Sequence, residues 1–203
     1  MTTKVLKIDA QNPQSSKIEE VVSLLDKGAV VALPTETVYG LAVCADNEKA
    51  LDKLYEVKRR PNKKQFTIQI PDLSQIDKYI DNLSPALEVI LREFWPGPLT
   101  VIVKSGDKTT GLRIPDNRVT LSILEAIKRP LAVTSANISG EQSVSSAEEV
   151  KEIFDNKIEM IVDDQAQADG IESTVLDCTT PHFKIVREGA ISEKLNRFLK
   201  IYG

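Results

Sequence analysis

No uninterrupted apolar run in this 203-residue chain exceeds five residues, and the strongest runs stop abruptly at Gly, Pro or a cluster of small hydroxyl side chains. Such runs are too short to span a bilayer and fit buried strands of a sheet covered on both faces. Between them lie helix signals. Ser16 with Glu19 reads as a capping box ahead of Ile18, Val21, Val22, Leu24 and Leu25, and Gly28 supplies the stop. A second helix is predicted from about Glu48; it carries Ala50, Leu51, Leu54, Tyr55 and Val57 and must end before Pro61, which places Lys58 and Arg60 at its C-terminal edge. Ser84-Pro85 opens a third helix toward Trp95. Further helices are expected around Leu121 to Ile127, after a cap at Ser145 or Ser146, and from Ser192 to about Ile201. Strand patterns fall at Ala29 to Leu33, FTIQI, LTVIVKS, GLRIP, PLAVT, IEMIV, STVLD and FKIVR. This alternation predicts a mixed α/β architecture in one domain over residues 1–203, with no internal repeat. Strand order is not legible.

Composition removes several classes of chemistry. The 26 basic and 30 acidic residues give a net charge of −4, which argues against a general nucleic-acid coat but leaves local patches open. Cys44 and Cys178 have no partner at ligand spacing and His182 is the only histidine, so neither a zinc site nor a Ser/His/Asp or Cys/His catalytic set can be assembled. The opening MTTKVLKIDA has no apolar signal region, so a soluble cytoplasmic protein with reduced thiols and no membrane contact is expected.

Polar groups cluster where the strands end. After Ala29 to Leu33 come Pro34, Thr35, Glu36, Thr37 and Tyr39, an arrangement that hands polar side chains to a cleft rather than a core. In KRRPNKK, residues 58–64, five of seven side chains are basic; such density wants an anion, although a solvated charged loop is the ordinary reading. GDKTTG, from Gly106, continues into Leu112 and does not complete a phosphate-binding loop. PLAVTSANISG ends a strand in Thr134, Ser135 and Asn137, donors and acceptors suited to phosphate or sugar oxygens. If Leu112 and Ile114 face the core, alternation turns Arg113 the other way, where its guanidinium can clamp a carboxylate. Glu172, Ser173 and Thr174 open a strand, and Arg187 closes one ahead of Gly189. Taken singly, each segment also fits an ordinary strand exit.

In this order and spread over residues 33–191, LPTETVYGLA, KRRPNKK, WPGPLT, GLRIPDN, PLAVTSANISG, GIESTVLD and VREGAI resemble the YrdC-like threonylcarbamoyl-AMP synthases. The resemblance implies a single-domain fold: a twisted mixed sheet flanked by helices, with a large concave cavity. It also implies an activity, the condensation of L-threonine, bicarbonate or CO2 and ATP to threonylcarbamoyl-AMP and pyrophosphate, for the t6A modification of tRNA. By resemblance, catalysis falls to Lys58, Arg60, Ser135 and Asn137. The ATP side takes Lys58, Arg60, Asn137, Ser145 and Arg187, and the threonine side takes Thr35, Tyr39, Lys64, Arg113, Ser135 and Ser173. Downstream threonylcarbamoyl-transferase proteins are the implied partners, and tRNA or other double-stranded RNA a further contact.

Two positions depart from the family pattern: Gln65 stands where Pro or Gly is usual, and Ser145 where threonine is common. The chain also resembles the short form, which consists of the catalytic domain alone. Under this reading no histidine is needed. A deprotonated threonine amine combines with CO2 or bicarbonate, and the resulting carboxylate attacks the ATP α-phosphate, so positioning and charge neutralisation suffice. Mg2+ is expected, bound mainly through the ATP phosphates, with no protein metal site. Glu36 and Glu172 are candidate bases, or else orient a neighbouring cation. The rival reading is a binding module for double-stranded RNA or tRNA in ribosome maturation, resting on KRRPNKK alone.

Overall fold

Adjacent residues of one apolar run go to opposite cores: Val31 and Leu33 join one buried cluster, Val30 and Ala32 another. A strand pinned this way sits between two layers, because successive side chains point to opposite faces. The computed structural model describes residues 2–60 and 65–202. In chain order its elements are β1 (Lys4–Lys7), α1 (Ser15–Asp26), β2 (Val31–Leu33), β3 (Gly40–Cys44), α2 (Glu48–Lys58), β4 (Thr67–Gln69), a 3-10 turn (Leu73–Lys78), α3 (Pro85–Phe94), β5 (Leu99–Ser105), β6 (Lys108–Arg113), α4 (Arg118–Ile127), β7 (Leu131–Ser135), α5 (Ala147–Phe154), β8 (Met160–Asp163), β9 (Thr174–Asp177), β10 (Lys184–Arg187) and α6 (Ser192–Tyr202).

Among the described residues the ten strands form one mixed sheet in the order β1-β8-β2-β3-β7-β4-β6-β5-β9-β10. Helices α1 and α4 cover one face through Ile18, Val21, Leu25, Ile123 and Leu124. Helices α2 and α5 cover the other through Leu54, Val150 and Phe154. A third cluster gathers Leu87, Ile90 and Leu91 of α3 with Leu195 of α6 against Leu99, Val101 and Leu112. Trp95 is an anchor of this cluster, 8% exposed, its indole N–H donating to the Leu99 carbonyl at 2.7 Å. Register decides which polar residues become neighbours. Gln69 pairs with Arg113, Gly40 with Ser135, and Leu99 with Thr174, which brings Thr100 beside Ser173.

The predicted helices are present, with one correction at a terminus. Helix α1 begins at Ser15 with Gln14 at its cap, so Ser16 falls inside the first turn, where it cannot cap, and no side chain caps this end. Backbone bonds from Lys17 and Ile18 N–H to the Gln14 carbonyl set the start instead. The capping box of α5 forms as expected, with Ser146 and Glu149 satisfying each other's backbone. Gly28 follows α1 at φ +82°, a left-handed conformation that favours glycine. Segment GDKTTG forms the β5–β6 hairpin, whose Gly106 N–H donates to Asp81 at 2.7 Å. Strands β1 and β3 and the 3-10 turn form where no element is predicted from the sequence pattern. For β3 the signal was present: Leu41 to Ala45 is a second apolar run of five.

Candidate active site

Seven strands or their ends surround one hollow of about 150 Å³, with walls from Thr35, Val38, Tyr39 and Gly40, from Arg60, Gln65, Phe66, Thr67 and Gln69, and from Thr100, Arg113, Val133 to Ser135, Glu172, Ser173 and Arg187. This volume is below the several hundred Å³ usual for drug-sized ligands and suits something the size of an amino acid. Three guanidinium groups face it, and the partners of each differ.

Arg113, at the end of β6, is 6% exposed and turned away from buried Leu112 and Ile114. Its Nη2 lies 2.8 Å from Glu36 Oε1 and donates to Thr37 Oγ1 at 2.9 Å, and its Nε donates to the Gly97 carbonyl at 3.2 Å. The Thr35 hydroxyl proton goes to the Val38 carbonyl at 2.7 Å, so in the 2.8 Å contact between the two threonines Thr37 donates to Thr35. A relay of fixed polarity therefore runs from the guanidinium into the β2–β3 turn, and it holds Arg113 in one orientation. Ser173 is locked in the same manner. Its hydroxyl is shared with Thr100 at 2.8 Å and accepts from Arg187 Nη2 at 3.0 Å, while its carbonyl accepts from Arg187 Nε and Nη2. Arg187 Nη1 also pairs with Glu172 at 2.7 Å, and Glu172 in turn accepts from Ser143 at 2.5 Å.

Lys58 closes α2 and is 2% exposed. The chain leaves the helix through Arg59 in the left-handed region, φ 50°, so Lys58 points into the protein and Arg60 toward the hollow. The Lys58 amine donates to the Ser135 carbonyl and to Asn137 Oδ1, both at 2.6 Å. Asn137 Oδ1 also accepts from Ser135 Oγ at 2.7 Å, and Asn137 Nδ2 donates to the Glu141 carbonyl at 2.6 Å. Burial, reinforced by the Arg60 charge and opposed by Glu172, pulls the Lys58 amine down to about 8. Burial also lowers Arg60. Arg60 Nη1 donates to Thr134 Oγ1 at 3.2 Å, Nη2 donates to the Gln65 carbonyl at 2.8 Å, and the guanidinium lies 5.0 Å from the Phe66 ring centroid.

The hollow gathers Thr35, Tyr39, Arg60, Arg113, Ser135, Ser173 and Arg187 of the sequence-predicted residues. Lys58 and Asn137 stand behind its wall, bonded to Ser135 rather than lining the space. Ser145 sits one residue before the α5 cap, outside the lining set, with its hydroxyl and N–H on Glu149. Lys64 lies outside the described residues, as do Pro61, Asn62 and Lys63 of the basic segment. Tyr39 lines the space, but burial, with Asp164, Asp163 and Glu148 nearby, raises its phenol far above the ordinary tyrosine range, so it stays protonated. The cysteines are inert by the same cause: burial pushes Cys44 to about 11 and Cys178 to about 12.

Gln69 was not predicted. It is 2% exposed and lines the hollow, and its Oε1 has no hydrogen-bond partner. A buried acceptor left open in a polar pocket can take a donor from a ligand. The available signal was one amide in the otherwise strand-like FTIQI. Gly189 is a second omission. A methyl there would come within 2.4–2.6 Å of Glu172 O, Ser173 C and Thr174 N, all backbone atoms. Gly189→Ala is therefore expected to push Ser173 out of place and cost about 1–3 kcal/mol; an unaltered urea midpoint would contradict this close approach.

The Sua5/YciO/YrdC family model, described as telomere recombination, matches residues 23–189. A threonylcarbamoyl-AMP synthase of Bacillus subtilis is 35% identical over 208 residues, 96% of this chain and 60% of the relative. The Pyrococcus abyssi enzyme of the same name is 36% identical over 185 residues, 86% of this chain and 54% of the relative. The crystal structure of Pyrococcus abyssi Sua5 complexed with L-threonine superposes with a TM-score of 0.91 at 31% identity, covering 98% of this chain and 62% of that one. This chain thus spans a little over half the length of these relatives. A family model over residues 23–189, together with identities above 30% along nearly the whole chain, makes this protein a member of the Sua5/YciO/YrdC family.

Proposed function

We propose that this chain is a threonylcarbamoyl-AMP synthase: it takes L-threonine, bicarbonate or CO2 and ATP and releases pyrophosphate. The observation that carries this reading is the amino-acid-sized hollow lined by the fixed guanidinium of Arg113, the open amide acceptor of Gln69 paired with it in the sheet, and two further guanidinium groups. A relative of the same fold binds L-threonine.

Arg113 takes the threonine carboxylate, and Ser173, Thr35 and Gln69 border the rest of the amino acid, with Tyr39 a wall. Lys64 belongs to this side by resemblance alone. Arg60 and Arg187 face the nucleotide's phosphates, Lys58 and Asn137 hold the Ser135 turn beside them, and Ser145 is assigned to the nucleotide by resemblance. The threonine nitrogen, once deprotonated, bonds to the carbon of CO2. A carbamate oxygen then bonds to the α-phosphorus as the bond to the β-phosphate oxygen breaks, and pyrophosphate leaves with the electron pair. Fixed cations lower this barrier because they need not reorganise as charge develops on the leaving group. Glu172 and Glu36 are both taken by arginines and offer a resident metal no ready ligand set. Mg2+ therefore belongs with the ATP phosphates as their counter-ion. Transfer of the product to tRNA through partner proteins, in the cytoplasm, completes the reading; no described helix is long and apolar enough to cross a membrane.

The test is incubation of the purified protein with ATP, threonine and bicarbonate, leaving out each in turn. Pyrophosphate and a threonine-containing adenylate should appear only when all three are present; pyrophosphate release indifferent to threonine would refute the reading.

A further inference from the structure

Glu36 is unlike the other carboxylate at the hollow. Its side chain is 18% exposed against 8% for Arg113, and both its oxygens are buried without a hydrogen bond, although Oε1 lies 2.8 Å from Arg113 Nη2. The contact is close yet poorly aligned, so Glu36 acts on Arg113 by charge rather than by directed bonding. Directed bonds come from elsewhere: Thr37 and the Gly97 carbonyl already orient the guanidinium. Arg113 faces the hollow and Glu36 is not among its walls. A ligand therefore meets a cation whose compensating charge lies behind it, out of reach and shielded from solvent. The Arg187–Glu172 pair differs in this respect. Those side chains are 46% and 34% exposed and both line the hollow, so water screens the pair and an incoming anion can displace it.

We propose that Glu36 determines specificity within the hollow, keeping the Arg113 subsite for the singly charged carboxylate of a zwitterion and excluding phosphate groups from it. This rests on the functional reading above, under which an amino acid fills the hollow and the triphosphate reaches its guanidinium groups through the phosphates, so that either could take the wrong one. Before ligand binds, the Arg113–Glu36 pair has no net charge. Attraction to Arg113 and repulsion from Glu36 both scale with the charge of the incoming anion, so their partial cancellation leaves little gain for a phosphate dianion, whose larger desolvation cost then goes uncompensated, whereas a carboxylate loses less water. An amino acid also carries its own ammonium, which Glu36 attracts. Arg60 and Arg187 then remain for the phosphates, and the two substrates sort without steric help.

Threonine binding is measured by calorimetry at pH 8, with and without millimolar inorganic phosphate, in the wild type, Glu36→Gln and Glu36→Asp. In the wild type and in Glu36→Asp, which keeps the charge, phosphate should leave the threonine Kd unchanged. In Glu36→Gln phosphate should become a competitor of threonine, with an affinity at the Arg113 subsite raised about tenfold. Phosphate competing in the wild type, or failing to compete in a folded Glu36→Gln, would overturn the proposal. If Glu36→Gln does not fold by circular dichroism, the wild-type and Glu36→Asp measurements decide. A wild type that binds no threonine in phosphate-free buffer would instead bring down the functional reading itself.

Discussion

Arg113→Ala is expected to raise the threonine concentration for half-maximal turnover by about 100- to 1000-fold, the loss of two charge-assisted hydrogen bonds to a carboxylate. The ATP requirement should move far less, since Arg60 and Arg187 come from other elements, the exit of α2 and the end of β10, and are untouched by the substitution. Initial-rate kinetics with each substrate varied in turn separates the two effects, and unchanged threonine kinetics would remove Arg113 from the site. Stability should fall as well. The substitution strands Glu36, whose oxygens are buried, without its counter-charge, and breaking a buried ion pair from one side costs about 3–5 kcal/mol. Arg113→Ala combined with Glu36→Gln removes the orphaned charge. That double variant should recover most of the stability in urea unfolding and none of the threonine affinity, which distinguishes a lost ligand contact from a damaged fold.

Lys58 is the second position with a large expected effect, and its two roles can be divided. Lys58→Ala removes a side chain that is 2% exposed and should cost about 2–4 kcal/mol through the cavity it leaves. Lys58→Met keeps the stem and discards only the amine; replacing a buried cation with an apolar group of similar shape should cost less than about 1.5 kcal/mol at neutral pH. Turnover should nevertheless fall by about 100-fold in Lys58→Met, because the Ser135 carbonyl and Asn137 lose the bonds that fix them beside the phosphates. The pH dependence identifies the amine. With a folded value of about 8 against an ordinary 10.5, the unfolded chain holds a proton across that window that the folded chain lacks. Stability therefore rises with pH from about 8 to 10.5 and this gain is absent below 8. The wild type should gain up to about 3 kcal/mol over Lys58→Met across that window. Parallel stability profiles for the two proteins would show that the amine is not desolvated.

Local sequence signals suffice where the chemistry is local. Ser146 and Glu149 cap α5 because the two lie three residues apart in one turn, whatever surrounds them. Arg113 points away from the core because Leu112 and Ile114 flank it in a strand. Ser16 and Glu19 have the same spacing as the α5 pair, but the backbone entered the helix one residue earlier and left Ser16 past the cap position. At Gln69 an amide looked like an ordinary strand residue, and only the parallel pairing with β6 sets it opposite Arg113 in the hollow. Gly189 likewise gave no sign of the backbone pressed against it, since Glu172 to Thr174 arrive from a different strand start.

The sequence by itself determined the family and the α/β character, because motif order is written along the chain and each helix or strand pattern depends on neighbours within a few positions. Only the tertiary structure decided which of them touch the hollow. Arg60 and Arg113 reach it, whereas Lys58 and Asn137 stop behind Ser135, and Glu36 takes its place behind Arg113. Those distinctions come from strand register and from burial, which are set by packing between segments up to about a hundred residues apart, and no spacing within a single segment encodes them.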